Sequence, residues 1–328
     1  MTRLAERLRL GLVGTGWIVG LHLAALERLA RTQLVGVVSG SAERAAATSS
    51  RWGGVAYSDL ATMLDEERPG AVYVCLPPNR AAAACSLLVE RGVPFLTEKP
   101  LAAVAAEAER VGRALRSRAL VTAVGYNWRG LDFLPLIRGR LTDRPARLVL
   151  GRWTGGTPPP AWWRHVAESG GQVVEQATHL YDAARFLVGE ADVLAAASAR
   201  TRRIDQPDAD VDDLAGALLR FRNGAIGAFA STSILPSNQV ELDLLSDGRR
   251  TTIRMHPDAA GPRWSLTLDD GAGAATVEAR RDPYEVQAEA FLDAVESADP
   301  RRVLSSYEDA LLTDRLVRAV VTATGSAG

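Results

Sequence analysis

The chain has 328 residues, 47% of them hydrophobic and 23% charged, with a formal net charge of −1. This balance, with no block of like charge, excludes an electrostatic footprint for nucleic acid or an anionic membrane and points to a small-molecule partner. No run reaches the ~18 apolar residues of a membrane span, the N-terminal MTRLAERLRL carries no apolar leader, and two cysteines, Cys75 and Cys85, are too few for a disulfide framework, so a reducing cytoplasm is the expected setting.

Residues 1–125 alternate short, continuously apolar runs with Ala/Leu-rich stretches. Strands buried on both faces are expected at 8–14, 34–39, 71–76, 94–97 and 119–125, and helices at 18–30, 41–51, 58–67, 79–91 and 103–117. That alternation predicts an α/β fold, a doubly wound parallel sheet of the Rossmann type with ligands outside the carboxyl ends of its strands. From 126 the pattern changes. One helix is expected at 172–188, then β runs at 191–204, 211–222, 225–233, 238–246, 249–255, 263–268 and 274–279, and helices at 284–297 and 306–323. Turn residues such as Arg222-Asn223-Gly224 and Ser246-Asp247-Gly248-Arg249 join the strands. A second, α+β domain over 126–328 with a large, mostly antiparallel open sheet is the expectation; 154–162 is its most loop-like segment, and helix 306–323 is a candidate to pack back on the first domain.

Gly14-Thr15-Gly16-Trp17-Ile18-Val19-Gly20 lies between the first strand and the first helix. There the first glycine permits a tight turn, the second lets backbone approach a pyrophosphate, and the helix start offers free N–H groups and a positive dipole. An NAD-binding unit places an acid at the end of the second strand, on the ribose 2′-OH. This chain has Ser39-Gly40-Ser41-Ala42-Glu43-Arg44 instead. Hydroxyls, free N–H groups and a guanidinium attract a 2′-phosphate, so NADP is favoured over NAD, with Glu43 keeping NAD open.

Gly170-Gly171 precedes the helix of Glu175, His179 and Asp182, spaced i, i+4 and i+7 and therefore expected on one face. A helix histidine paired with Asp182 and a proton-exchanging histidine both fit this spacing; a metal site does not, with four histidines in the chain and no cysteine cluster. Trp128, Trp153, Trp162 and Trp163 flank this region, and indole faces suit the C–H faces of sugars. Lys99, in Glu98-Lys99-Pro100 at the end of an expected strand, is the only lysine among 38 Lys+Arg.

Taken in order, GTGWIVG, Leu76-Pro77-Pro78-Asn79, Thr97-Glu98-Lys99-Pro100, Gly125-Tyr126-Asn127-Trp128-Arg129 and GGQVVEQATHLYD resemble the Gfo/Idh/MocA family of oxidoreductases across nearly the whole chain. The resemblance implies an N-terminal Rossmann domain binding NAD(P), a C-terminal domain whose open sheet makes homodimer or homotetramer contacts, a site between them, and a cis Lys99–Pro100 bond. It further implies hydride transfer between nicotinamide C4 and a secondary alcohol or ketone of a sugar, inositol or related polyol. Lys99 and His179 fall on the catalytic positions: His179 would exchange the hydroxyl proton, and Lys99 would donate to the same oxygen. Glu175, Tyr126, Arg129, Trp163 and Asp182 are expected around the substrate, with Asp182 orienting the imidazole. Gly14, Thr15, Gly16, Trp17, Ile18, Ser39, Gly40, Ser41, Arg44, Leu76, Pro77, Asn79, Glu98 and Lys99 are expected around the cofactor. Three departures stand out: Val19 at the third glycine position, Ala82 where a histidine is common, and Glu175 for the commoner aspartate. Two alternatives keep the fold: a redox-neutral enzyme that recycles a tightly held cofactor, and a cofactor-binding sensor without turnover.

Overall fold

The computed structural model describes residues 7–201, 206–258 and 261–325. In chain order its first elements are β1 (Leu8–Val13), α1 (Ile18–Leu29), β2 (Thr32–Val38), α2 (Ala42–Trp52), β3 (Val55–Tyr57), α3 (Leu60–Glu67), β4 (Ala71–Val74), α4 (Pro78–Arg91), β5 (Phe95–Thr97), α5 (Ala105–Leu115) and β6 (Thr122–Val124). A 3-10 turn at Asn127–Gly130 leads to α6 (Leu134–Asp143), β7 (Leu148–Gly156), a second 3-10 turn at Ala161–Arg164, α7 (Val166–Ser169), α8 (Gln172–Glu175) and α9 (Thr178–Val188). Then come β8 (Ala191–Ala199), β9 (Leu214–Phe221), β10 (Ile226–Thr232), β11 (Ile234–Ser246), β12 (Arg249–His256), β13 (Arg263–Asp269), β14 (Ala274–Glu278), α10 (Pro283–Ser297) and α11 (Tyr307–Ala323).

The chain divides into two compact units, the first comprising residues 1–102, 106–130 and 282–311, the second 103–105, 131–281 and 312–328. In the first, six strands lie in the order β3-β2-β1-β4-β5-β6, and every recorded pairing is parallel. This is the doubly wound order that reverses beside β1. The period-2 alternation of strand side chains sorts its core onto two faces. Leu10, Leu12, Tyr73 and Cys75 meet α1 and α10 on one face, whereas Val72, Val74 and Phe95 meet α4, α5 and the start of α11 on the other. Sequence chemistry sets the helix ends: Ser41 caps α2 by accepting from the Arg44 N–H, Asp59 caps α3 by accepting from the Thr62 N–H, and Gly92 ends α4 in the left-handed region at φ 68°.

Residues 282–311 depart from the expected boundary. They lie with the first unit because Ala288, Phe291, Leu292 and Ala294 of α10 bury against its sheet, and Tyr307, Ala310 and Leu311 of α11 bury on the opposite face. Four elements were not anticipated, namely β3, α6, β7 and α7. The expected run at 191–204 stops as a strand at Ala199, and its residues 202–205 lie outside the described residues.

The second unit holds an eight-stranded sheet in the order β14-β13-β12-β11-β7-β10-β9-β8. Only β7 and β10 pair parallel; the other recorded pairs are antiparallel. On one face Val149, Leu219, Phe221, Phe229, Leu242 and Leu244 are buried, and Tyr181 of α9 stacks on Phe229 at 4.8 Å. On the other, Leu150, Leu194 and Leu218 are exposed. No helix among the described residues is long and apolar enough to cross a membrane.

Candidate active site

The turn from β1 into α1 is shaped by three glycines with different surroundings. Gly14 has φ 104°, donates its N–H to the Val38 carbonyl at 2.9 Å, and leaves no room for a Cβ, which would strike the Cys75 carbonyl. Gly16 and Gly20 face the opposite situation, since a Cβ on either would meet nothing within 4 Å. The first glycine is therefore demanded by packing, and the second leaves open backbone at a helix start, a place suited to phosphate. Val19 at the third position is 4% exposed and packs into the apolar face with Leu10 and Leu12. Trp17 is 69% exposed.

Beside this turn, at the end of β2, Thr15 Oγ1 lies 2.9 Å from Ser39 Oγ, and Ser39 Oγ accepts the Ser41 N–H at 3.2 Å. Gly40 and Arg44 are exposed there. A second guanidinium joins them: Arg80 Nη1 would be 4.0 Å from a Cβ on Gly40. Arg80 sits in the first turn of α4, directly after Pro77, Pro78 and the exposed Asn79. It was missed in the sequence because its relation to Gly40 exists only once β4 lies beside β1. Thr15, Gly16, Ser39, Gly40 and Ser41, with Arg44 and Arg80, form a cradle of hydroxyls, open backbone and positive charge that fits a phosphorylated dinucleotide.

Glu98 and Lys99 follow β5 at the carboxyl edge of the same sheet, where the Glu98 N–H donates to the Val74 carbonyl at 2.9 Å. Lys99 is half-buried, and the Lys99–Pro100 bond is cis. Glu98, expected to face the cofactor, turns inward: Oε1 is 2.8 Å from His22 Nε2, and Oε2 accepts the Lys99 N–H at 3.1 Å. Tyr126 and Arg129 also differ from expectation. Tyr126 is 1% exposed in the apolar core, and Arg129 pairs with Asp309 at 2.5 Å and donates to the Leu304 carbonyl at 3.1 Å. Both thus serve the interior of the first unit, where an aromatic ring and a paired guanidinium complete the packing behind β6.

In the second unit, Gly170 and Gly171 take φ 80° and 91°. The helix expected at 172–188 is broken. The Ala177 N–H reaches back to the Gln172 carbonyl at 3.0 Å, an i→i+5 bond that ends α8 and lets α9 start afresh at Thr178. Glu175 is consequently the last residue of α8 and His179 the second of α9, so the i, i+4, i+7 face is not that of one continuous helix. Trp163, 2% exposed, donates its indole N–H to Glu175 Oε2 at 2.7 Å. The His179 ring, 8% exposed, stacks on Trp153 with centroids 6.1 Å apart. Asp182 Oδ1 accepts from Thr313 Oγ1 at 2.8 Å, and Arg185 Nε donates to the same hydroxyl at 3.0 Å. The His179 imidazole thus stands on a ring-stacked support, and the hydrogen-bonded set of Asp182, Arg185 and Thr313 ties its helix to α11.

Comparison with known proteins follows the same two-unit division. A D-xylose 1-dehydrogenase (NADP(+)) of Haloferax volcanii is 26% identical over 94% of this chain and 95% of its own. A levoglucosan dehydrogenase of Pseudarthrobacter phenanthrenivorans is 24% identical over 69% of this chain and 68% of its own. Among solved structures, a 3-ketoreductase from Actinomadura kijaniata in complex with NADP and TDP-benzene superimposes with TM-score 0.84 at 22% identity, covering 97% of this chain and 98% of that one. Residues 8–126 match the oxidoreductase family with an NAD-binding Rossmann fold, residues 145–255 match the GFO/IDH/MocA C-terminal domain, and the chain therefore belongs to the Gfo/Idh/MocA oxidoreductase family.

Proposed function

We propose that this oxidoreductase transfers hydride between NADP, in preference to NAD, and a secondary alcohol or ketone of a sugar, inositol or related polyol. The observation that carries the reading is the placement of the only lysine, Lys99, at the carboxyl edge of the sheet whose β1–α1 turn is left open at Gly16. A bound nicotinamide supplies the hydride donor or acceptor. Everything else falls to the chain. Lys99 holds the substrate oxygen by a charged hydrogen bond and stabilises alkoxide charge as it develops. His179 takes or returns the hydroxyl proton. Glu175, fixed by Trp163, orients substrate hydroxyls, and Asp182, bonded to the Thr313 hydroxyl, anchors the helix that carries His179. The relatives named as sugar dehydrogenases and the structural neighbour solved with NADP support the substrate class and the cofactor.

The exposed apolar row of Leu150, Leu194 and Leu218 supports a homodimer or homotetramer formed through the second sheet. The two free, buried thiols Cys75 and Cys85 suit a reducing cytoplasm.

A screen of sugars and inositols for reduction of NADP⁺ and NAD⁺ tests the activity. Lys99→Arg keeps the charge but replaces a compact, titratable donor with a planar one, and kcat is expected to fall roughly 10²-fold or more; kcat near that of the parent would remove Lys99 from the chemistry. Arg44→Ala and Arg80→Ala are each expected to raise KM for NADP about tenfold with little effect on NAD. Equal effects on both cofactors would remove that guanidinium from the 2′-phosphate site.

A further inference from the structure

His22 lies in the middle of α1 and is 1% exposed. Its imidazole is walled in by two phenol rings, Tyr73 from β4 and Tyr284 from α10, each edge-on with centroids 5.3 Å away. The ring's Nε2 is 2.8 Å from Glu98 Oε1, across a sequence separation of 76 residues. Glu98 in turn spends its other oxygen on the Lys99 N–H at 3.1 Å. Gly125, just beyond β6, makes the space for this carboxylate, since a Cβ there would be 2.7 to 2.8 Å from both of its oxygens. An imidazole, a carboxylate and the backbone of the only lysine thus form one line, buried at His22 and partly buried at Glu98 and Lys99.

The other titratable groups facing this line stay neutral. Burial first, and the Glu98 charge second, hold Tyr284 and Cys75 in their protonated forms, and burial does the same for Tyr73. Arg28, further along α1, is occupied by Asp282 and Glu285 of α10 at 2.5 and 2.8 Å.

We propose that His22 is a positioning residue for Lys99: it fixes Glu98 in the orientation that holds the lysine backbone. The inference rests on Lys99 being the residue that holds substrate oxygen.

Because Lys99 is the only lysine in the chain, ¹³Cε-lysine labelling of the whole protein gives a single side-chain signal. That signal should move in His22→Leu and in Glu98→Gln, each of which releases the lysine backbone from its support. His22→Gln, which keeps a donor for the carboxylate, should leave the signal near its parent position and retain most of kcat. His22→Leu should lower kcat at least tenfold with KM changed less than threefold, a split that loss of fold alone would not produce. A lysine signal unchanged in His22→Leu and Glu98→Gln, or a His22→Leu kcat near that of the parent, overturns the proposal. Lys99→Ala separates the two readings: if it retains turnover, the role of the lysine in catalysis fails, whereas lost turnover with an unresponsive signal removes only the role of His22.

Discussion

Gly125 shows how much a single hydrogen atom in place of a methyl decides at this site. A Cβ would crowd both oxygens of Glu98, and neither can retreat without breaking the bond to His22 or to the Lys99 N–H. Gly125→Ala is expected to cost about 1–3 kcal/mol of stability by overpacking and to lower kcat by more than the loss of folded protein explains. Urea unfolding and turnover measured on the same preparation check this, and unchanged kcat would contradict it. The sequence exposes some of these residues readily. Lys99 stands out by its solitude and Gly14 by its motif, and Ser39 with Arg44 stands out by the missing acid. His22 and Arg80 stay hidden, because their meaning depends on partners at Glu98 and Gly40, and those pairs have no local pattern to betray them. Tyr126 and Arg129 err in the other direction, since a motif position says nothing about which way its side chain turns.

Among the elements, β7 carries the lesson. It lies between β10 and β11 in the middle of its sheet, yet its end runs through Thr154-Gly155-Gly156 into a proline-rich stretch and reads as loop. A Cβ at Gly151 would collide with the Phe229 ring, so the glycine that weakens the local β signal is what the packing requires. Likewise the break between α8 and α9 has no proline or glycine to announce it; an i→i+5 bond makes it. The ladder between β11 and β12 offers a test in pH. Burial works against the Asp243 carboxylate, but hydrogen bonds from Arg250 and Thr252 outweigh it and hold its pKa below the usual range. With the folded pKa depressed, this stabilisation is full above the unfolded value of ~3.9 and is lost as pH falls through the lower folded value. Asp243→Asn is expected to cost about 1–2 kcal/mol near neutrality, with the gap to the parent closing below pH ~3.9. Chemical unfolding across that range checks it, and a constant gap would assign the loss to packing instead.

At the scale of the whole molecule, strand–helix alternation carries the doubly wound parallel class, whereas the strand order and the edge strand β3 are seen only in the structure. The unit boundary was less legible. An Ala/Phe/Leu-rich amphipathic helix such as α10 can cover any apolar face, and its sequence does not name which. Since it shares with α1 the cover of Leu10, Leu12 and Tyr73, a chain ended at Gly130 leaves that face only partly covered. Such a chain is expected to lose the cooperative unfolding transition and to bind a hydrophobic dye, whereas a sharp transition at the parent Tm would show that the first unit closes without residues 282–311. The same fact sets a timetable for biosynthesis. Translation delivers ~5–20 residues per second, so the nascent sheet waits roughly ten seconds or more, partly covered, while the ribosome makes the whole intervening segment. A cell producing this enzyme must shelter that early half from premature association until its last covering helices arrive.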